Sequence, residues 1–407
     1  MEKYIQVHSE IGELKRVLLH RPGEELNRLH PDYLQDMLFE DTPYLPVAQK
    51  EHDFFANALR ENGVEVVYMR DLFSEAMLIP QAKEEFINEF ISLSHIKSEI
   101  IKLAVKKLYI EKKQEEFIDV VLQGIRKDEL SFDKPTLANY LMSDYPYVVD
   151  PLSAVYYMRD NSISVGDGTI ISRMSKRFRE REPLLLKYIH KYVPRFVNSD
   201  IKYWYDDDAE YGIEGGDVAV LSEKVVAIGC SERTTFGAIE NLSEKLLRNG
   251  FERVVVFDMV EKKRSTMHLD DIMTMVDHDK FIINAMMDDR EKINVYCVEL
   301  FDEQLSIELM SGELKTIFEQ VLEVEHVTLI SCGNGDLVDG IREMWNLGAN
   351  VLTLAPGKVI AFSRNDITNK QLEDIGIEVI KVPDAELVKG RGGPRCMSMP
   401  LLRVKAL

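Results

Sequence analysis

Apolar residues along this chain fall in short blocks whose spacing switches from strand-like to helical and back. LKRVLLHRPG (14–23) has the compact apolar run of a buried strand closed by a Pro-Gly turn. VAQKEHDFFANALREN (47–62) spaces its apolar residues three and four apart, which predicts a helix, and Gly63 suits its C-cap. VEVVYM then reads as a second strand. The order strand, arginine, helix, glycine, strand returns in EKVVAIGCSERTTFGAIENLSEKLLRNGFERVVVF (223–257), with Arg233 and Gly250. It returns again in GKVIAFSRNDITNKQLEDIGIEVIKV (357–382), with Arg364 and Gly376. A degenerate copy begins at GDGTIISRMSKRFRE, and DHDKFIINAMM supplies one more strand of the same character.

This is a weak internal repeat of small αβ units, none able to cover its apolar face alone, so the units should pack around a shared centre. A single doubly wound sheet produces a similar alternation, and periodicity does not choose between the two. Residues 72–140 differ. Runs such as IKSEIIKLAVKKLYIEKKQEEFIDVVLQGIRK keep helical apolar spacing with charges between, predicting a helical insertion with a solvated outer face. The expected division is therefore an α/β body over 1–71 and 141–407, interrupted by helices over 72–140.

The 407 residues are 45% hydrophobic and 29% charged, ordinary for a globular protein with a large core. The net charge of −20 argues against attraction to phosphate backbones or anionic lipid, so neither a nucleic-acid nor a membrane partner is expected. No signal-peptide or membrane-helix pattern is present, and the four cysteines lack a CxxC pair, which points to a reducing, cytoplasmic setting without disulfides or structural zinc.

Reactive groups beside glycines or in short polar segments mark four places: YYMRDN (156–161), IEGGDV (213–218), MHLDD (267–271) and KGRGGPRCMSMP (389–400). Cys396 lies in a loop composition next to Arg391 and Arg395, whose field would favour a thiolate; it reads as a nucleophile or as an ordinary loop thiol. Cys230, Cys297 and Cys332 read as buried small hydrophobes. If 268–270 is extended, His268 and Asp270 share one face, suiting proton transfer and substrate binding. Half a metal site or a structural histidine are the alternatives, and nine histidines with one loose cluster favour no metal ligand set. Glu214, Asp217 and Asp160 are acids that tight backbone could bring to a cavity, or surface acids. No dinucleotide or GxxxxGK phosphate loop occurs, and no cofactor is expected.

Together, LLHRPG, DYLQDMLFEDTPYLPVAQKEHDFFA, MRD, IEGGDV through GCSERT, MHLD, IREMWNLGAN and RGGPRCMSMPL resemble the bacterial arginine deiminases, within the guanidino-group-modifying superfamily, over essentially the whole chain. The resemblance implies a five-bladed pseudosymmetric α/β propeller of ββαβ units with a helical insertion, and hydrolysis of free L-arginine to citrulline and ammonia through an S-alkylthiouronium intermediate. It makes Cys396 the nucleophile, His268 the general acid/base, Glu214 its acidic partner, and Asp160 and Asp270 the guanidinium ligands. Arg179, Arg233 and Arg391 fall where the family recognises the substrate α-carboxylate, with Tyr157 and Asp217 completing the substrate site. It also implies a homo-oligomer, a dimer or larger. Where many members read FTRDP, this chain has Tyr157 as the aromatic wall and Asn161 for a frequent proline, which predicts a looser loop.

Overall fold

A computed structural model describes residues 3–130, 145–284, 287 and 291–406; the expected 140/141 boundary lies outside the described residues. The chain is mixed α/β, and its strands form separate small sheets rather than one continuous doubly wound sheet.

Five of these sheets share one pattern: a first strand antiparallel to the second, which runs parallel to the third. One combines Ser162–Val165, Gly168–Ile171 and Lys202–Tyr205. Another combines Val218–Val220, Val225–Cys230 and Arg253–Met259, extended antiparallel by Ile293–Phe301 and Gln304–Leu309. A third holds Met273–Asp277, Lys280–Ile283 and Thr328–Ser331. A fourth holds Leu352–Ala355, Lys358–Phe362 and Glu378–Val382. The remaining sheet pairs Leu14–Leu19 antiparallel with the C-terminal Met399–Arg403 and parallel with Glu65–Tyr68. Helices cross between second and third strands, as parallel neighbours require: Leu45–Glu61, Glu182–Tyr192, Phe236–Leu247, Leu314–Leu322 and Asp366–Asp374. Gly63, Gly250 and Gly376 all have positive φ after such helices, the C-terminal role their spacing predicts.

Between Glu65–Tyr68 and Ser162–Val165 the chain forms helices Met69–Met77, Pro80–Ser92, Glu99–Glu111 and Gln114–Gln123. Their apolar faces join one core with Leu18, Leu185, Ile189 and Met399, so these helices pack directly against the sheets. Phe86 is central there, against Phe73, Phe90, Phe117 and Tyr188; truncation to alanine would cost about 3–5 kcal/mol.

Candidate active site

Each first strand of the five sheets is preceded by a short turn or loop, and these five segments carry the site. The helical turn Met158–Asn161 leads into Ser162–Val165, and the 3-10 turn Gly215–Asp217 into Val218–Val220. The turn Leu269–Asp271 precedes Met273–Asp277; Asn350 precedes Leu352–Ala355; and Cys396 precedes Met399–Arg403. His268 and Asp270 therefore do not converge through strand alternation. His268 is extended and Asp270 lies in the 3-10 turn that follows, a correction to the extended reading.

Cys396 is buried, with Sγ 3.6 Å from Asp270 Oδ2. Burial, then Asp270, Asp160 and Asp271, push its thiol well above the ordinary range. His268 Nε2 lies 2.9 Å from Glu214 Oε2, and its Nδ1 3.7 Å from Asp160 Oδ1. Burial alone would lower the histidine, but Asp160, the bond to Glu214 and Asp217 outweigh it and lift it to about 10. Glu214 is held well below the usual carboxylate range, because Arg233 and His268 overcome its burial. Such close packing requires glycine at 216, where a Cβ would lie 2.6 Å from His268 Nδ1 and 3.1 Å from Asp160 Oδ1.

The predicted arginines are buried beside these acids. Arg179 donates to Asp160 Oδ2 at 2.6 Å and to Glu182 at 2.7 and 2.9 Å. Arg233 reaches Glu214 at 3.4 Å, and with Tyr33, Lys176 and Phe178 it lines a cleft of about 680 Å³. Arg391, in the left-handed region at φ +66, stacks on Trp345 at 3.8 Å and donates to its carbonyl at 2.7 Å. Its Nε and Nη2 are buried without a hydrogen-bond partner, as are Asp160 Oδ1 and Asp270 Oδ1. Free donors thus accompany free acceptors, the complement of a ligand with a carboxylate and a cationic group.

Tyr157 packs against the Cys396 loop: a Cβ at Gly392 would lie 2.2 Å from its ring, and its hydroxyl donates to the Leu387 carbonyl at 2.9 Å. Asn161 is buried and its side-chain amide donates to the Tyr157 carbonyl at 3.3 Å. Asp217 directs both oxygens inward, accepting from Ser231 at 2.6 Å and the Leu269 N–H at 2.9 Å. Cys230 and Cys332 are buried, whereas Cys297 is only half-buried.

Three features escaped the motif reading. Asn350 donates to Cys396 Sγ and to the Asp270 carbonyl, both at 3.1 Å. Arg395 lies not as a field beside the sulfur alone but in a bridge, donating to Asp270 Oδ2 at 2.7 Å and Glu10 Oε2 at 3.3 Å. Asp271 has an oxygen within 4.8 Å of Cys396 Sγ, and neither of its oxygens has a hydrogen-bond partner. The adjacent HLDD acids were a signal for Asp271, and the segment IREMWNLGAN contained Asn350 without giving it a role; nothing local marked Glu10. Among the described residues, two clusters have donors able to hold a cation, Asp160–Glu214–His268 and Asp270–Asp271–Cys396.

The whole-chain fold is shared with an amidinotransferase, SxtG from Microseira wollei, at TM-score 0.58 and 14% identity over 99% of this chain and 98% of that one. It is shared also with the DDAH of Pseudomonas aeruginosa complexed with citrulline, at TM-score 0.53 and 14% identity over 95% and 99%. The fold is thus the α/β type seen in these amidinotransferase and DDAH structures. A family profile described as arginine deiminase matches residues 35–403. Arginine deiminase 1 of Staphylococcus epidermidis is 43% identical over 98% of both chains, and the arginine deiminase of Staphylococcus aureus 44% over 98% of both. This chain belongs to the arginine deiminase family.

Proposed function

We propose that this protein hydrolyses free L-arginine to citrulline and ammonia, with Cys396 as nucleophile. The observation that carries this reading is a buried thiol among acids that still present free oxygens, a site whose negative charge calls for a bound cation. Asp160 and Asp270 hold the guanidinium plane through charge-assisted hydrogen bonds, so its central carbon faces the sulfur. Arg391 and Arg233 have free donors for the α-carboxylate. Arg179, already shared between Asp160 and Glu182, supports that end and fixes Asp160, while Asp217 is a positioning residue for the His268 segment.

Attack by the thiolate forms a C–S bond and a tetrahedral adduct. Protonated His268 gives its proton to the departing nitrogen, ammonia leaves, and an S-alkylthiouronium remains. His268, now neutral, takes a proton from water as that water adds to the same carbon. Collapse expels the sulfur as thiolate, releases the hydroxyl proton to solvent, where it meets the departed ammonia as ammonium, and leaves the ureido group of citrulline. The sequence starts with the histidine charged, as its acidic neighbours favour.

The five sheets support a five-bladed ring closed by pairing of the C-terminal strand with Leu14–Leu19, with the catalytic turns at its centre. The helices from Met69 onward support an inserted helical unit. A thiol nucleophile fits a reducing cytoplasm, and the family resemblance a homo-oligomer. Among the described residues no helix is long and apolar enough to cross a membrane.

Product analysis by mass spectrometry tests the reading, with arginine alone and with an added amine acceptor. Citrulline from the wild type, none from a folded Cys396→Ser protein, and no transfer to the amine are expected. Transfer to the amine would mean an amidinotransferase. A chelator should leave the rate unchanged; a loss restored by one metal would replace the cysteine mechanism.

A further inference from the structure

The steps above leave one proton without a destination. Cys396 holds its thiol proton strongly in the free site, and His268 is already charged. A proton acceptor beside the sulfur is needed before the S–C bond can form.

The acids around the sulfur differ in what they are free to do. Asp270 Oδ2, 3.6 Å from Sγ, already accepts from Arg395, and Asp160 Oδ2 accepts from Arg179. Protonating either would also remove a charge that holds the guanidinium. Glu214 is shared among Ser175, Arg233 and His268. Asp271 is different. It is 3% exposed, and neither of its oxygens has a hydrogen-bond partner. One of its oxygens, one of Asp270 and Cys396 Sγ lie within 4.8 Å of one another.

We propose that Asp271 is the base that takes the Cys396 proton when a guanidinium enters the site. The S–H bond breaks and an O–H bond forms on the Asp271 carboxylate. The electron pair left on sulfur makes the bond to the guanidinium carbon. When the final collapse returns that pair to sulfur, Asp271 gives the proton back, so the cycle closes without an outside acid. The transfer moves negative charge from Asp271 to the sulfur and leaves the site's total unchanged, while the substrate cation favours the thiolate it faces.

The charged groups around Asp271 suit this exchange. Asp270 and His268 flank it on its own turn, Asp160 approaches from the Met158–Asn161 turn, and Arg391 and Cys396 from the C-terminal loop. Burial and then Asp270 raise Asp271, opposed by His268 and Arg391, to about 7, where a carboxylate both accepts and returns a proton near neutral pH.

The proposal rests on Cys396 being the nucleophile, and its test reads thiol ionisation without turnover. Full-length wild type, Asp271→Asn and Asp271→Glu are inactivated with chloroacetamidine, a cationic alkylating agent that mimics the guanidinium, across pH 5–10. Chloroacetamide is the neutral control, and peptide mapping locates the label. Wild type should alkylate at Cys396 with a rate rising through about pH 7. Asp271→Asn should be slower at pH 7 by about a hundredfold, with its rise displaced to higher pH, and Asp271→Glu should recover part of the rate. If Asp271→Asn alkylates at the wild-type rate with an unmoved limb while its KM for arginine rises, Asp271 is only a counter-charge for Arg391 and the proposal fails. Should the asparagine protein not fold by circular dichroism, an unmoved limb in the glutamate protein with no loss of rate would overturn it equally. Wild type that labels at Cys396 yet makes no citrulline would sink the hydrolase reading and leave this comparison interpretable.

Discussion

Asn350 grips Cys396 at both ends: its Oδ1 accepts the cysteine N–H at 3.1 Å while its Nδ2 donates to Sγ at 3.1 Å. The same Nδ2 donates to the Asp270 carbonyl, so one amide sets the spacing of the sulfur and Asp270. Its Oδ1 also lies 2.7 Å from where a Cβ at Gly393 would stand, which makes that loop position tight as well.

Asn350→Ala should therefore lower kcat more than it raises KM. Losing the donor to sulfur and the acceptor for the Cys396 N–H costs about 1–3 kcal/mol each, so kcat should drop about tenfold or more. Steady-state kinetics with circular dichroism as a folding control checks this. Asn350→Asp should be worse, because a carboxylate facing the thiol opposes its ionisation further.

The alkaline side of the activity profile should report His268. It is lifted to about 10 by Asp160, Glu214 and Asp217 against its burial, and the first step uses its charged form. kcat/KM should fall as pH rises through that region. Glu214→Gln removes one of the acids, so the descending limb should move to lower pH. An unmoved limb in the pH–rate profile would exclude His268 as its source.

Arg391 should discriminate substrates by their α-carboxylate. Removing its free donors in Arg391→Ala costs about 1.5–3 kcal/mol for a ligand that pairs with them, roughly tenfold to more than a hundredfold in kcat/KM. Agmatine, which lacks the carboxylate, should lose little. Equal losses for both compounds would assign Arg391 to loop structure, through its stacking on Trp345.

Glu10 should anchor the centre of the molecule. It lies 3.3 Å from Arg395 and 3.8 Å from Arg159, and Arg395, Arg159 and Arg403 together overcome its burial and hold it at about 2, below its ordinary 4.5. A group depressed on folding stabilises above its unfolded value. That contribution should be complete above about pH 4.5 and lost progressively as pH falls toward 2. Glu10→Gln leaves buried guanidinium groups short of a counter-charge and should cost about 3–5 kcal/mol in urea unfolding at pH 7, with a weaker dependence on acid.

Much of this protein was legible as a string of residues. The helix over 45–61 was expected from 47–62, and the units around Arg233 and Arg364 formed with their glycines where the spacing put them. These are local matters: apolar periodicity and a left-handed glycine are decided within a few residues of chain. The motifs carrying Cys396, His268, Glu214 and Asp160 were also visible, and their resemblance to a family named the chemistry before any geometry.

Tertiary structure decided which of those groups meet. Cys396 and Asp270 are 126 residues apart, and Arg395 and Glu10 385 apart, yet both pairs are in contact. Asn350 closes the segment IREMWNLGAN, and its role exists because the Cys396 loop arrives against it. Whether 268–270 runs extended was open in the sequence, because no alternation within three residues separates a strand from the 3-10 turn found at 269–271. Composition and spacing determined the parts and the reactive groups. Their hydrogen-bond partners, their burial and their charge states follow from long-range packing, since each depends on atoms the local sequence does not contain.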